Sequence, residues 1–403
     1  MDQLELDRID NEIETELRGH ILPFWLGLRD ERGGFYGEMT PDLVLHQDAQ
    51  KGVMLHAGIL WAFSAAYRKY QEPAYLSAAA HAYTFLRKAW DIECGGFYRS
   101  LHADGTPAET EKYAVCHALC VYGLAVYAEA SGDQDAKKQA IETFDCIETH
   151  FASKNGYAEA FTADWQPIET DEIPEKNLHA AKTMPTMLHL IEAYAELYCL
   201  TGEKVVGTAL RKLIKLMADR IYQPDKTKFG VYFDDDLNEL GDCHSFGYDI
   251  EASWLLDHAC ECLGDKTLTA KLRKITYQLA DHVSREAFFD GALFKERFAD
   301  TLCRTRVWWV QAEGVVGCLN AAKNAKLNGD EGNADRLMNL AVTLWHYLQS
   351  YQIDRREGGE WHAETDQTGM PLYSADMAGP WKSPYHTSRM CLEFLDRTRQ
   401  RTI

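Results

Sequence analysis

Hydrophobic positions along this chain recur at helical spacing in twelve segments of two alternating kinds. Six are apolar on most sides and cover 50–70, 112–130, 182–200, 247–263, 306–323 and 382–398. The other six, 4–27, 73–89, 134–151, 203–221, 266–285 and 333–353, keep a charged face, as in Ala136-Lys137-Lys138-Gln139-Ala140-Ile141. A helix that is apolar all round belongs in an interior, whereas one with a polar face lies at the surface. Ahead of each apolar segment stands a glycine–aromatic signature: Gly33-Gly34-Phe35-Tyr36, Gly95-Gly96-Phe97-Tyr98, Gly156-Tyr157, Phe229-Gly230-Val231-Tyr232, Gly291-Ala292-Leu293-Phe294 and Gly358-Gly359-Glu360-Trp361. Their spacings of 62, 61, 74, 61 and 67 residues mark six repeats. Each signature suits a tight turn with a small hairpin, glycine taking the positive φ that the turn requires.

Six buried helices alternating with six amphipathic ones predict an all-α chain folded as an (α/α)6 barrel, with short hairpins at one end. A linear solenoid is the competing arrangement, but it needs polar terminal caps. The first and last apolar segments here are as apolar as the rest. No linker divides the chain, so residues 1–403 are expected to form a single domain, although length alone allows two or three.

Composition narrows the partners. The formal charge of −20, from 42 Lys and Arg against 62 Asp and Glu, argues against nucleic acid and against an anionic membrane surface. No apolar run approaches the roughly 18 residues of a membrane span, and the acidic N-terminus lacks the basic start of a signal peptide. Eleven scattered cysteines without paired CxxC motifs read as reduced thiols, so a cytoplasmic location is expected.

In a closed barrel, the first turns of the inner helices and hairpin aromatics such as Phe97 line a pocket. Ionisable residues fall there in six places: His56, His117, His189, Glu251, Glu313 and His386. One histidine on an apolar helix is usually a satisfied core residue. Four in like places favour a gathered site in which one acts as a base near neutral pH. Gly379-Pro380-Trp381-Lys382-Ser383-Pro384-Tyr385-His386 is a proline-restrained approach to the last inner helix that would hold His386 in place. It also reads as ordinary helix-start punctuation. Arg306-Val307-Trp308-Trp309-Val310-Gln311-Ala312-Glu313 joins a cation, two indoles suited to stacking on sugar C–H faces, and a carboxylate, with at least one indole expected in the core. Asp234-Asp235-Asp236 lacks the spaced ligands of a calcium loop and reads as a solvated turn. No HExxH, Walker A, GxSxG or strand-linked GxGxxG pattern occurs.

These residues resemble the N-acylglucosamine 2-epimerase family over nearly the whole chain, and within it the members acting on cellobiose. The likeness is carried by Leu22-Pro23-Phe24-Trp25, Gly33-Gly34-Phe35-Tyr36-Gly37, Leu188-His189-Leu190-Ile191-Glu192-Ala193-Tyr194, the Arg306–Glu313 stretch, Arg356-Glu357-Gly358-Gly359-Glu360-Trp361 and Gly379-Pro380-Trp381-Lys382. The resemblance implies an (α/α)6 barrel and chemistry at the C2–H of a reducing-end mono- or disaccharide, with no metal or redox cofactor. The ring opens, a base removes the C2 proton, and a cis-enediolate forms. Protonation of the other face gives the 2-epimer; delivery to C1 gives the ketose. It implies that His386 is one base, that His189 assists ring opening and proton transfer at oxygen, and that Glu251 and Glu313 orient histidines and bind hydroxyls. Trp381 would stack on the sugar. Trp308, Trp309, His117, Phe97 and Arg306 are expected as further sugar contacts. Family members include monomers and homodimers.

Four positions depart from the family: Gly58 stands for an arginine, Tyr248 for a second catalytic histidine, Val115 for a tyrosine and Pro185 for an asparagine. Loss of the arginine removes a cation that would stabilise enediolate charge. Tyr248 is expected as a catalytic residue with a phenol, reference pKa about 10, in place of an imidazole: as a phenolate base it would need strong perturbation, and as an acid it could donate to an oxygen. Two readings compete with an epimerase or isomerase. One is a sugar-binding protein without turnover. The other is a lyase or glycosidase using Asp249, Glu251 and Glu313 as an acid–base carboxylate pair. Restoring both family residues, Tyr248→His together with Gly58→Arg, is expected to raise 2-epimerase activity.

Overall fold

The computed structural model describes residues 3–168 and 178–399. Its helices run in chain order α1 (Gln3–Glu16), α2 (Leu22–Gly27), α3 (Val53–Tyr70), α4 (Pro73–Leu86), α5 (Ala114–Ser131), α6 (Gln134–Cys146), α7 (Met184–Thr201), α8 (Lys204–Leu216), α9 (Phe246–Leu263), α10 (Lys266–Glu286), α11 (Trp308–Leu327), α12 (Glu331–Tyr347) and α13 (Tyr385–Arg399). A single π-helical turn joins α1 to α2, and similar turns extend α6, α8 and α12. The odd-numbered helices from α3 to α13 pack each on the next, and α13 returns to α3, so the ring closes. The remaining helices stand outside it. This is the (α/α)6 barrel that the alternation of apolar and amphipathic segments predicts.

The inner helices are buried on nearly all sides because both neighbours and an outer helix cover them. In α5 even Cys116, His117 and Cys120 are buried. α5 also has the length and hydropathy of a membrane span, and most of that window is buried within the barrel. Outer helices such as α8 bury one stripe, Val206, Leu210, Leu213 and Ile214. Gly132, Gly202 and Gly264 end α5, α7 and α9 at φ of 75°, 66° and 64°, a left-handed turn that a side chain would resist.

Most of the inner helices start two or three residues later than the hydrophobic pattern suggests. Short strands at Lys51–Gly52, Lys112–Tyr113, Lys182–Thr183, Cys243–Ser245 and Arg306–Val307 precede five of them. Each pairs with a strand in the next repeat: 51–52 with 100–101, 112–113 with 160–161, 182–183 with 232–233, 243–245 with 296–298 and 306–307 with 364–365. A bridge between Met39 and Ala378 completes the circuit. The glycine–aromatic signatures form a second set of small antiparallel pairings, including Phe35 with Arg29, Phe97 with Trp90 and Trp361 with Ile353.

Buried cations tie these turns to the helix starts. Lys112 Nζ donates to Asp91 Oδ2 (2.9 Å) and to the carbonyls of Gly95 and Ala163 (both 2.6 Å). Lys51 repeats the pattern with Asp30, Gly33 and Ala103. Arg306 holds the same place before α11 and donates to the carbonyls of Phe289 and Asp290. Burial opposes ionisation of Asp91, but Lys112 and two backbone N–H groups outweigh it and hold its carboxyl below the ordinary range. Lys112→Met would leave Asp91 and two carbonyls without their cation. Breaking a buried pair in this way costs about 3–5 kcal/mol, and urea unfolding is expected to show a loss of that size.

Candidate active site

A cavity of about 560 Å³ opens where the inner helices begin. Its walls include Met54, Val115, Leu119, Pro185, His189, Tyr248, Glu251, Trp308, Trp309, Trp381 and His386. Helix phase explains the choice. Counting from each helix start, Met54, Val115, Pro185, Trp309 and His386 are second residues, and Leu119, His189, Glu251 and Glu313 are sixth. Positions four apart share a face; the fourth residue lies half a turn from the second.

That fourth place holds His56 in α3 and His117 in α5, and both turn away from the cavity. The backbone N–H of Phe97 donates to His117 Nε2 (2.9 Å), and His117 Nδ1 donates to the Tyr113 carbonyl (2.7 Å). His56 does the same with Phe35 and Gly52. Both imidazoles are fully buried, which pushes their pKa down to about 4. Asp249 and Gln311 occupy the equivalent places and accept from Phe229 and Leu293. His117, Phe97 and Arg306 are therefore framework rather than sugar contacts: each spends its polar groups or its ring on a hairpin. Asp249 is committed likewise, to Phe229 and His244.

Beneath the cavity lies Arg389, which the sequence reading passes over. Its guanidinium reaches three carboxylates from three helices: Glu192 of α7, Glu251 of α9 (2.6 Å) and Glu313 of α11 (2.7 Å). Tyr385 donates to Glu192 from the same helix as Arg389. One signal was available, an arginine one turn beyond His386 in the apolar run Met390-Cys391-Leu392. Glu192 similarly follows His189 by three residues.

This network separates the two carboxylates nearest His386. Burial opposes ionisation of Glu313, but Arg389 and His386 outweigh it and hold the carboxyl down at about 2. Burial and the adjacent Glu313 charge push Glu251 up. An ionised Glu313 only accepts, so His386 Nδ1 carries the proton in their 2.8 Å hydrogen bond and Nε2 is left as the basic nitrogen. Glu251 Oε2 and Trp308 Nε1, both buried, have no hydrogen-bond partner among the described residues and belong to residues lining the cavity. A hydroxylated ligand satisfies such atoms. The Trp309 ring packs at a 33° tilt against Tyr248 (5.1 Å between centroids) and against His386 (5.6 Å), while Trp381 stands 57% exposed at the rim.

Glu251, Glu313 and His386 place ligand atoms within 4.8 Å of one another. Arg389 already donates to both carboxylates and would repel a divalent cation, so this donor set fits a proton-transfer network rather than a metal. Neither Asp249 nor Glu313 lines the cavity, so neither is an open partner for Glu251 in the carboxylate pair that the sequence suggests; the other glutamates on the wall are Glu159 and Glu296.

Position 58 is tightly packed against the approach to α13. A Cβ on Gly58 would lie 2.3 Å from Ser383 Oγ and 2.9 Å from Ser383 Cβ, so any side chain must displace the approach to His386. Overpacking of this kind costs about 1–3 kcal/mol, and thermal melting of Gly58→Arg is expected to show destabilisation with reduced turnover. Burial disfavours the charged form of His189, but the hydrogen bond to Glu192 and the charges of Glu251 and Glu192 outweigh it and raise its pKa. In Glu192→Gln the His189 imidazole is expected to titrate at lower pH than in the parent, read by NMR of labelled histidine.

Comparison with known proteins agrees with this framework. A sequence model described as N-acylglucosamine 2-epimerase (GlcNAc 2-epimerase) matches residues 34–389. A cellobiose 2-epimerase of Ruminococcus albus is 42% identical over 389 residues, covering 96% of this chain and 98% of its own. The solved cellobiose 2-epimerase of Bacillus thermoamylovorans superposes with a TM-score of 0.92 at 36% identity, over 97% of this chain and 100% of its own. A solved D-mannose isomerase shares the fold at 18% identity, with a TM-score of 0.81 over 96% of this chain and 97% of its own. The chain belongs to the N-acylglucosamine 2-epimerase family.

Proposed function

We propose that this chain is a carbohydrate 2-epimerase, with aldose–ketose interconversion as the alternative fate of the same intermediate, and that residues 1–403 serve as one barrel domain. The substrate is a small mono- or disaccharide presented by its reducing end. The observation that carries this reading is the His386–Glu313 pair: a buried, ionised carboxylate fixes Nδ1–H and leaves Nε2 as the base in a cavity lined by indoles. A C2 proton alpha to the open-chain aldehyde is acidic enough for such a base once the developing oxyanion is stabilised.

Glu251 suits that second task. Burial and the adjacent Glu313 raise its carboxyl above the ordinary range, which favours the acid form as a hydrogen-bond donor to the oxygen on which enediolate charge grows. This replaces part of the stabilisation that a cation at position 58 would supply. Trp381 at the rim offers a stacking face to the sugar unit that stays outside, and Trp308 and Trp309 face the reacting unit.

The test is incubation with cellobiose, mannobiose, mannose and N-acetylglucosamine in D2O, followed by NMR at C2. Deuterium is expected at C2 of at least one sugar, accompanied by its epimer or ketose, and lost in His386→Asn. Sugar binding by calorimetry with no deuterium in any of the four overturns the proposal.

A further inference from the structure

Epimerisation needs a proton taken from one face of C2 and one returned to the other. His386 supplies one face. Tyr248 is poorly suited to be the second, since its ring packs against Trp309 at 5.1 Å and burial pushes its phenol well above an ordinary tyrosine. Among the described residues the cavity wall carries one other imidazole, His189.

The two imidazoles are built alike. His386 Nδ1 meets Glu313 at 2.8 Å, and His189 Nδ1 meets Glu192 at 3.4 Å. Both glutamates then bind the same Arg389 guanidinium, Glu192 on Nη1 and Glu313 on Nη2. α7 and α13 are three places apart in a ring of six, so these dyads approach from opposite walls. The Tyr385 ring makes edge contact with both, at 4.5 Å to His386 and 6.4 Å to His189, which puts them over one floor.

Resting on the 2-epimerase reading above, we infer that His189 is the second C2 base of this chain, working from the wall opposite His386. In one direction neutral His386 takes the C2 proton, the C2–H electron pair forms a cis-enediolate whose oxygen accepts a hydrogen bond from Glu251, and protonated His189 delivers its proton to the other face of C2 as the C1 carbonyl re-forms. The enzyme is left with His386 protonated and His189 neutral, the state that serves the reverse reaction. The raised pKa of His189 accords with an imidazole that rests protonated.

The experiment follows C2 exchange in D2O for cellobiose and, separately, for its 2-epimer. His189→Asn is expected to lose epimer formation by at least 100-fold yet keep exchange in the one epimer that presents its C2–H to His386. His386→Asn is expected to give the mirror pattern, exchange surviving only in the other epimer. Surviving exchange also reports that each variant is folded; a thermal melt and His189→Gln serve where it is absent. Loss of exchange from both epimers in a folded His189 variant assigns that residue to ring opening and overturns the inference while leaving the epimerase reading intact. Continued epimerisation by His189→Asn overturns it as well, as does the same split pattern arising in Tyr248→Phe. No exchange in the unaltered protein refutes the epimerase reading, and this inference falls with it.

Discussion

One buried guanidinium organises the centre of this barrel. Arg389 rises from α13 and meets carboxylates from α7, α9 and α11, so four of the six inner helices are joined through a single side chain. An ion in such a place is tolerated only when its charge and hydrogen bonds are answered, and three carboxylates surround one cation here. The excess of negative charge is what divides them. Glu313, bound by Arg389, His386 and Trp254, is driven to ionise, and Glu251, with one oxygen unpartnered, is driven to keep its proton. The tautomer of His386 and the acidity of Glu251 thus follow from one arrangement of charge.

The substituted positions reshape the cavity without disturbing that centre. Gly58 and Ser383 fit one another so closely that the space for a side chain at 58 is already filled. Tyr248 packs against Trp309, which packs in turn against His386. Val115 and Pro185 line the same cavity and offer it no side-chain hydrogen-bond donor. The wall is correspondingly more apolar, while the Arg389 network and both histidine–glutamate dyads are complete.

The frame around the site is carried by repetition. Buried cations before three inner helices, Lys51, Lys112 and Arg306, anchor the glycine turns, and fourth-position side chains accept from the hairpin backbone. His56 and His117 of the frame are fully buried and His189 and His386 of the site are partly exposed, but residue type alone does not separate frame from site. Direction does: a hairpin amide lies on one side of the helix and the barrel axis on the other.

The twelve helices, their sorting into inner and outer sets, the six hairpins and the closed ring were legible in the sequence, because hydrophobic periodicity and glycine turns are local properties that repeat. His386, His189, Glu251 and the tryptophans were likewise legible through motifs that place them near helix starts. Three things were decided only by the tertiary structure. Helix phase sends His56 and His117 to the hairpins while His189 and His386 face the axis, and an offset of two or three residues at most of the inner-helix starts was enough to blur that distinction. Arg389 gains its meaning from carboxylates 76 to 197 residues away in the chain. The incompatibility of Gly58 with any side chain arises from Ser383, on the far side of the closing seam between α13 and α3. Each depends on which residues the closure of the ring brings together, and contact across a closed ring leaves no local pattern in the chain.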